Sequence, residues 1–265
     1  MSDPFALTTG APRYFLSRLN PLAKLAAVLP FMLWLLLVRD VWTPFLFLIL
    51  AMVTILIGAR LSWRTLLLLV AGLPAVVFVL SLSFGLWTDA SRVDTTPLVF
   101  QLGEFRFFRG AWLIGLATAL RLGAVLALAL IPGLTTTGPD LVRASVEHLR
   151  VPYRVGYTAL AAYRFVPRFR HDLDLIRQAH RVRGVSGGRG PVAGIRRALG
   201  YVVPLLAGAI RHAERVSFAM DSRAFGAHES RTERHLLPLQ VRDGVFVGLF
   251  WLCGAGLLVL AAQLG

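Results

Sequence analysis

Two arginine residues lie where amphipathic helices are predicted to end, and each is followed closely by glycine. Arg183 precedes Gly184, and Arg223 precedes Ala224-Phe225-Gly226. A guanidinium group is planar and permanently charged, so it can pair with a carboxylate or with helix carbonyls in a partner's groove. Such an arginine can instead complement the C-terminus of its own helix, with glycine as the usual stop. The repetition of the pattern favours docking to a partner.

The helices that must position these arginines belong to one strongly basic block. Residues 139–243 contain 18 arginines and nine acidic residues, out of 28 basic and 14 acidic residues in the whole chain. Membrane proteins concentrate positive residues in their cytoplasmic loops, so we expect this block to be cytoplasmic. Nucleic acid is not expected as a partner, because base-stacking and groove-reading elements are absent from the sequence.

The remainder of the chain predicts an all-α membrane protein. The whole sequence is 56% hydrophobic and has a mean hydropathy of +0.67, which is too apolar for an ordinary soluble domain. About five spans are expected, four before the basic block and one after it, and each is near or below the ~20 residues that a bilayer requires. They are Leu22–Val38, Pro44–Gly58, Leu66–Trp87, Ala111–Leu134 and Val245–Leu264.

The predicted domains follow from these spans and from the basic block. An N-terminal membrane domain is expected over residues 1–138, a cytoplasmic domain with two arginine-ended helices over 139–243, and a last transmembrane helix over 244–265. The positive residues near the first two spans place the N-terminus on the cytoplasmic side. Two β-leaning runs around Gly103 predict a small hairpin in the loop between the third and fourth spans.

The fourth span has a stripe of small residues and one charge. Small side chains at strict four-residue spacing allow a neighbouring helix to approach closely, although alanine-rich helices also produce such stripes by chance. Arg121 lies near the middle of the same span, where a charge normally faces the protein interior. It can pair with backbone carbonyls or an outer-loop carboxylate, or it can contact substrate or act in gating. The stripe consists of Ala111, Gly115, Ala119, Gly123 and Ala127.

Inside the basic block, three helices are expected. The first opens at Pro139-Asp140, where the capping chemistry is favourable. The second extends from Tyr153 to Arg183, and the third reaches Arg223. The apolar centre of the third, Leu199 to Ile210, is only a dozen residues long, which is too short to span a bilayer and favours an interfacial or core helix.

Several patterns that would indicate catalysis or metal binding lack their necessary context. Gly184-Val185-Ser186-Gly187-Gly188 matches G-x-S-x-G, but a hydrolase motif needs a preceding strand. Lys24 is the only lysine, so a phosphate-binding loop that ends in Gly-Lys is impossible. His171 and His180 lack the spacing of zinc ligands, and Cys253 is alone. From these patterns no catalytic residue and no metal site are expected, and the chain is not expected to hydrolyse ATP by itself.

The chain resembles a known family, the transmembrane T component of energy-coupling factor (ECF) transporters, which includes the CbiQ and BioN permeases. Val182-Arg183-Gly184 and Ser222-Arg223-Ala224 resemble the two Ala-Arg-Gly coupling motifs of that family, although the first residue of each and the third residue of the second differ. Four further segments carry the resemblance: Leu19-Asn20-Pro21-Leu22-Ala23-Lys24-Leu25, Thr135-Thr136-Thr137, Val151-Pro152-Tyr153 and Tyr163-Arg164-Phe165-Val166-Pro167.

The resemblance implies a non-catalytic scaffold in a bacterial cell membrane. Two cytoplasmic ATPase subunits would dock at Arg183 and Arg223, and a small membrane S component would bind the transported vitamin or transition-metal ion. ATP and magnesium would be bound by the ATPases, so the resemblance implies no cofactor in this chain. The transported compound cannot be read from this sequence, because in this family the S component carries specificity.

Two other classes of protein remain open. A stand-alone secondary transporter or channel predicts internal hydropathy repeats and broken helices near the midplane, and no repeat relates the two halves of the sequence. A membrane enzyme acting on lipid would use Arg121 and the interfacial arginines to hold phosphate. It would also need a nucleophile or a metal constellation, and the sequence offers no convincing one.

Overall fold

The structure, a computed structural model, describes residues 14–59, 61–87, 97–102, 105–184, 190–228 and 237–264. The backbone divides into two compact units. The first, here called the bundle, extends as far as Leu141 and resumes at Leu237, and the second, here called the basic unit, begins at Val142. The return to the bundle at Leu237 lies earlier in the chain than the predicted boundary at residue 243.

The bundle consists of helices and one hairpin. Trp63–Leu67, a π-helical turn at Leu68–Gly72 and Leu73–Trp87 form one continuous helix. The elements in chain order are α1 Phe15–Arg18, α2 Pro21–Leu37, α3 Trp42–Gly58, α4 Trp63–Leu67, α5 Leu73–Trp87, β1 Leu98–Leu102, β2 Phe105–Phe108, α6 Arg109–Thr135 and, after the basic unit, α10 Val241–Leu264.

The basic unit contains two long helices, α8 Tyr153–Val182 and α9 Pro191–Asp221, preceded by α7 Gly138–His148, which leads out of the bundle. The hydroxyl of Thr137 accepts a hydrogen bond from the Asp140 N–H at 3.3 Å and donates to the Asp140 carboxylate at 2.6 Å, which caps α7. The helices predicted in this part of the chain are confirmed, with ends that differ by one or two residues.

Among the described residues, four helices are long and apolar enough to cross a membrane. They span Trp63–Trp87, Arg109–Thr135, Val192–Asp221 and Val241–Leu264, whereas α2 and α3 have 17 residues each. The prediction that α9 is too short to span considered only its central dozen residues and underestimated the apolar length of this helix. None of its most apolar window is buried.

The hairpin predicted around Gly103 is confirmed. β1 and β2 pair antiparallel, with Leu102 opposite Phe105 and Leu98 opposite Phe108, and the register shifts between Leu98 and Phe100. β2 leads directly into α6, so the hairpin lies at the start of the helix that carries the small-residue stripe. Over the described residues, the observed fold is therefore that of an all-α membrane protein with this small hairpin.

Aromatic and small side chains fill the bundle core where α2, α3 and α10 meet. The rings of Phe31 and Phe47 lie 5.0 Å apart and those of Phe31 and Phe250 lie 5.9 Å apart, at the separations typical of packed aromatic pairs. Gly254 contacts the Phe31 ring so closely that a Cβ there would overlap with it. The outer surfaces of the same helices expose large apolar side chains, as lipid-facing helices do.

α8 and α9 form an antiparallel pair. Phe165 stacks on His212 with ring centroids 4.9 Å apart, and His180 meets Tyr201 edge-on at 5.1 Å. Both helices continue through an internal proline, Pro167 in α8 and Pro204 in α9. The pairing brings the end of α9 beside the start of α8.

Candidate docking site

The first arginine motif lies at the C-terminus of α8. Helical backbone ends at Val182, and the Arg183 N–H still donates to the Ala179 carbonyl at 3.1 Å. Gly184 then takes a left-handed conformation with φ of +69°, and its N–H donates to the Arg181 carbonyl at 3.1 Å. Arg183 is therefore the residue between the last helical turn and a left-handed stop.

The second motif repeats this arrangement at the C-terminus of α9. Ala224 is left-handed with φ of +54°, and its N–H donates to the Asp221 carbonyl at 2.9 Å. The N–H of Phe225 donates to the Met220 carbonyl at 3.0 Å, which completes a Schellman cap. Arg223 occupies the same place in this cap as Arg183 does in the first.

The shared backbone explains why a glycine is favoured at the third motif position. A left-handed conformation costs an L-residue roughly 1–2 kcal/mol because Cβ approaches the following carbonyl, and glycine avoids this cost. Gly184 satisfies that requirement, whereas Ala224 adopts the conformation with a side chain. The departure at Ala224 is visible in the sequence, but its left-handed backbone could be inferred only by aligning the two motifs of this chain.

Both motif arginines are exposed. Val182, which precedes Arg183, is 89% exposed. Ser222 and Ala224, on either side of Arg223, are also exposed. An arginine that served its own helix end would donate to the last carbonyls of that helix. Within the described ranges, neither guanidinium makes a hydrogen bond or an ion pair, so both are available to a partner.

Side chains of the first turn of α8 hold the segment that follows the second motif. The Tyr153 hydroxyl donates to the His228 carbonyl at 2.6 Å, and the Arg154 guanidinium donates to the Gly226 carbonyl. Phe225 packs edge-on against Tyr153, with ring centroids 5.8 Å apart. Gly226 is left-handed, with φ of +89°, and a Cβ there would lie 3.2 Å from Arg154 Nε.

The two arginines consequently lie at opposite ends of one helix. α8 has 30 residues, which extend about 45 Å at about 1.5 Å per residue. Arg183 follows its last turn, while the contacts of Phe225 and Gly226 keep Arg223 near its first turn. Arg183 and Arg223 are thus on the order of 40 Å apart, which is too far for both to contact one small ligand.

A basic groove lies beside Arg223, between the first half of α8 and the last half of α9. Its volume is about 930 Å³, and aromatic side chains such as Phe165 and Phe225 form part of its wall. No acidic residue is among the described residues that line it, so the groove favours an anionic group. Its basic lining consists of Arg143, Arg164, Arg168, Arg223, His212 and His228.

The small-residue stripe of α6 lies inside the bundle, and α5 is its main neighbour. A Cβ at Gly115 would overlap with the Ser81 carbonyl and the Gly85 backbone, and a Cβ at Gly123 would lie 2.6 Å from Val77 Cγ2. Ala111, Ala119 and Ala127 are buried as well. Such close backbone approach is the usual role of small residues between membrane helices.

Arg121, the intramembrane charge, is half-buried. Its Nε is fully buried and has no hydrogen-bond partner among the residues that the structure describes. The outer-loop carboxylates considered as partners, Asp89, Asp94 and Glu104, lie outside those residues. The pairing of Arg121 therefore remains a prediction.

The fold and the site define a helical membrane protein that carries a basic two-helix unit with matched arginine-ended caps. The chain belongs to the CbiQ family, described as cobalt transport protein, whose model matches residues 12–234. That match includes most of the bundle and both long helices of the basic unit.

Curated relatives agree with this assignment over most of the chain. The energy-coupling factor transporter transmembrane protein EcfT of Streptococcus equi is 26% identical over 254 residues, which cover 89% of this chain and 91% of the relative. EcfT of Thermosediminibacter oceani is 29% identical and covers 85% of this chain and 86% of its own length. EcfT of Bacillus subtilis is 26% identical over 74% of each chain.

Proposed function

We propose that this protein is the energy-coupling scaffold of an ECF importer that takes up a vitamin or a transition-metal ion. Two cytoplasmic ATPase subunits dock at the ends of α8 and α9, and a small membrane S component binds the substrate. The relatives named energy-coupling factor transporter transmembrane protein support this role. ATP and magnesium are held by the ATPases, and this chain is a non-catalytic subunit.

One observation carries the docking proposal: the two motif arginines have the same backbone setting at two separate sites. Arg183 and Arg223 each precede a left-handed residue at an exposed helix end, on the order of 40 Å apart. Two equal contacts at that separation suit two similar subunits, each contacting one helix end. A single small substrate would need the arginines to converge.

The basic groove beside Arg223 supports an acidic docking partner. Its arginines present planar donor pairs that match carboxylates bidentately. We assign the basic unit and the N-terminus to the cytoplasm, since the arginine excess of this unit follows the distribution of positive residues in inner-membrane proteins.

Co-purification tests the proposal. The chain is expressed with its two ATPases, and complexes are isolated from solubilised membranes by a tag on this subunit. The double variant Arg183→Ala/Arg223→Ala should retain its place in the membrane but lose the ATPases. Interface arginines of this kind often contribute about 2 kcal/mol or more each, which is about thirtyfold in Kd per site.

A matched control removes the same charge elsewhere in the basic unit. Arg177 pairs with Asp174 at 3.2 Å, and Arg197 donates to the Ala193 carbonyl at 3.2 Å, so both act within their own helices. The double variant Arg177→Ala/Arg197→Ala should keep both ATPases. Equal retention by the two double variants would refute docking at the motif arginines.

A further inference from the structure

A buried polar cluster joins the start of α2 to the segment that leads into α10. The Asn20 backbone N–H donates to Asp243 Oδ1 at 2.8 Å, and Asn20 Nδ2 donates to the Leu237 carbonyl at 2.8 Å. Asp243 Oδ2 accepts from the Gln240 N–H at 2.8 Å. Asn20 and Asp243 are buried, so these bonds are shielded from competing water.

A second link joins the same turn of α2 to the end of α6. Lys24 is 1% exposed, and its Nζ donates to the Thr135 carbonyl at 2.8 Å and to Thr135 Oγ1 at 3.2 Å. Thr135 is the last residue of α6, and its hydroxyl donates to the Ile131 carbonyl at 2.6 Å. The ammonium group thus replaces part of its hydration with the two Thr135 oxygens.

These two links lie near two of the chain connections between the bundle and the basic unit. The chain leaves the bundle after Leu141, six residues beyond Thr135 at the end of α6, and returns at Leu237. One helical turn, Asn20 to Lys24, is bonded to Thr135 and to Leu237. Two of the segments that carry the resemblance, the one around Asn20 and Lys24 and the one that begins at Thr135, are therefore in contact with each other.

Stability alone is a poor explanation for this cluster. Burying a charged group is expensive, and well-packed apolar residues often stabilise a core as well as buried charges do. Buried polar bonds are directional, however, and fix one arrangement of the groups that they join. The cluster therefore specifies where both connections are held.

We infer that Asn20, Lys24 and Asp243 are positioning residues that pass motion from the basic unit to the bundle. By fixing both connections to the first turn of α2, they prevent the connections from absorbing a displacement of the basic unit. The inference rests on the proposed function, in which ATPases displace that unit. It assigns the start of α2 as the point where the displacement enters the bundle.

Hydrogen exchange in the complex of the full chain with its ATPases tests this inference. Exchange is compared without nucleotide and with ATP and vanadate, in peptides that cover residues 19–25 and in peptides of α8 and α9. In the wild type, nucleotide should change exchange in both regions. In Lys24→Met, the change in α8 and α9 should persist, while the change in residues 19–25 should fall by about threefold to thirtyfold, as for residues that carry coupling.

A milder variant keeps the test decisive if Lys24→Met folds poorly. The Asn20 side chain caps α2 by accepting a hydrogen bond from the Leu22 N–H at 3.0 Å. In Asn20→Ser, the serine hydroxyl can still cap the helix in this way, but the side chain is too short to reach the Leu237 carbonyl. This variant should lose part of the nucleotide response in residues 19–25. Asp40→Asn is the control. The Asp40 carboxylate accepts a hydrogen bond from the Thr43 N–H at 2.6 Å at the start of α3, beyond the opposite end of α2.

The outcomes separate this inference from the proposed function. A full nucleotide response of residues 19–25 in Lys24→Met or Asn20→Ser would overturn the positioning role, as would a wild type whose basic unit responds while these residues do not. If Asp40→Asn lost the nucleotide response of residues 19–25 to the same extent, the effect would be one of general destabilisation, and the positioning role would also be overturned. Failure of the wild type to retain its ATPases would instead refute the proposed function.

Discussion

Gly184 and Ala224 occupy equivalent positions in the two caps: each is the left-handed residue directly after a motif arginine, with φ of +69° and +54°. Only one of them is glycine. Ala224→Gly should therefore stabilise the end of α9, by about 0.5–1 kcal/mol after allowance for the added freedom of the unfolded chain. Exchange protection of the Phe225 N–H measures this local free energy of opening.

Ala219→Gly is the control for that measurement. It introduces the same residue in the last turn of α9, where the backbone is still right-handed and glycine should destabilise by up to roughly 0.5–1 kcal/mol. The converse change, Gly184→Ala, should weaken the first cap. A destabilising Ala224→Gly would contradict the assigned left-handed backbone.

A second prediction concerns the contact between α6 and α5. Gly115→Ala should lower the free energy of unfolding by about 1–3 kcal/mol, because the added methyl would overlap with the Ser81 carbonyl and the Gly85 backbone. Gly133→Ala in the same helix meets no atom within 4 Å and should be neutral or stabilising. Thermal unfolding in detergent compares the two, and equal melting temperatures would show that the helices are not in close contact.

A third prediction concerns the contacts between the first turn of α8 and the segment that follows the second motif. Tyr153→Phe removes the bond to the His228 carbonyl and should destabilise that contact by about 1 kcal/mol or less, since the bond is exposed. ATPase binding at Arg223 should weaken in parallel. Tyr163→Phe, whose hydroxyl has no partner within the described chain, is the control and should leave titrated ATPase binding unchanged.

The fourth prediction concerns membrane orientation. Cys253 is the only cysteine, so Cys253→Ala gives a background free of thiols. A cysteine introduced at the exposed Val182 should react with a membrane-impermeant maleimide in inside-out vesicles, and one at the exposed Pro97 should react in right-side-out cells. Reaction of both positions from the same side would contradict the assigned topology, which follows the distribution of positive residues.

Much of the fold follows from local patterns in the sequence. The hairpin at Gly103 and the helices that end at the motif arginines depend on turn residues and apolar periodicity, which act over a few positions. The apolar part of α9 was underestimated, because the helix contains an 18-residue window that is apolar enough to cross a membrane, longer than the predicted centre Leu199 to Ile210.

Long-range polar contacts could not be inferred in this way. From the sequence, Asp243 is predicted to be the last residue of the basic block. In the structure it is buried and accepts a hydrogen bond from Asn20, which lies 223 positions earlier. Lys24 reads as a flanking charge of a membrane span, yet it contacts Thr135, 111 positions later. No periodicity connects residues at such separations, so only the packed helices reveal them. The exposure of Arg183 and Arg223, in contrast, follows from helix caps formed by neighbouring residues, and a local pattern in the sequence can indicate it.

The burial of Lys24 has a practical consequence for mapping the subunits around this protein. It is the only lysine in the chain, and its amine is enclosed by the bundle. Reagents that couple through primary amines will therefore find no accessible side chain on this subunit, even where a neighbour is in direct contact. Crosslinkers directed at guanidinium or carboxyl groups, or at introduced thiols, are the ones that can record those neighbours.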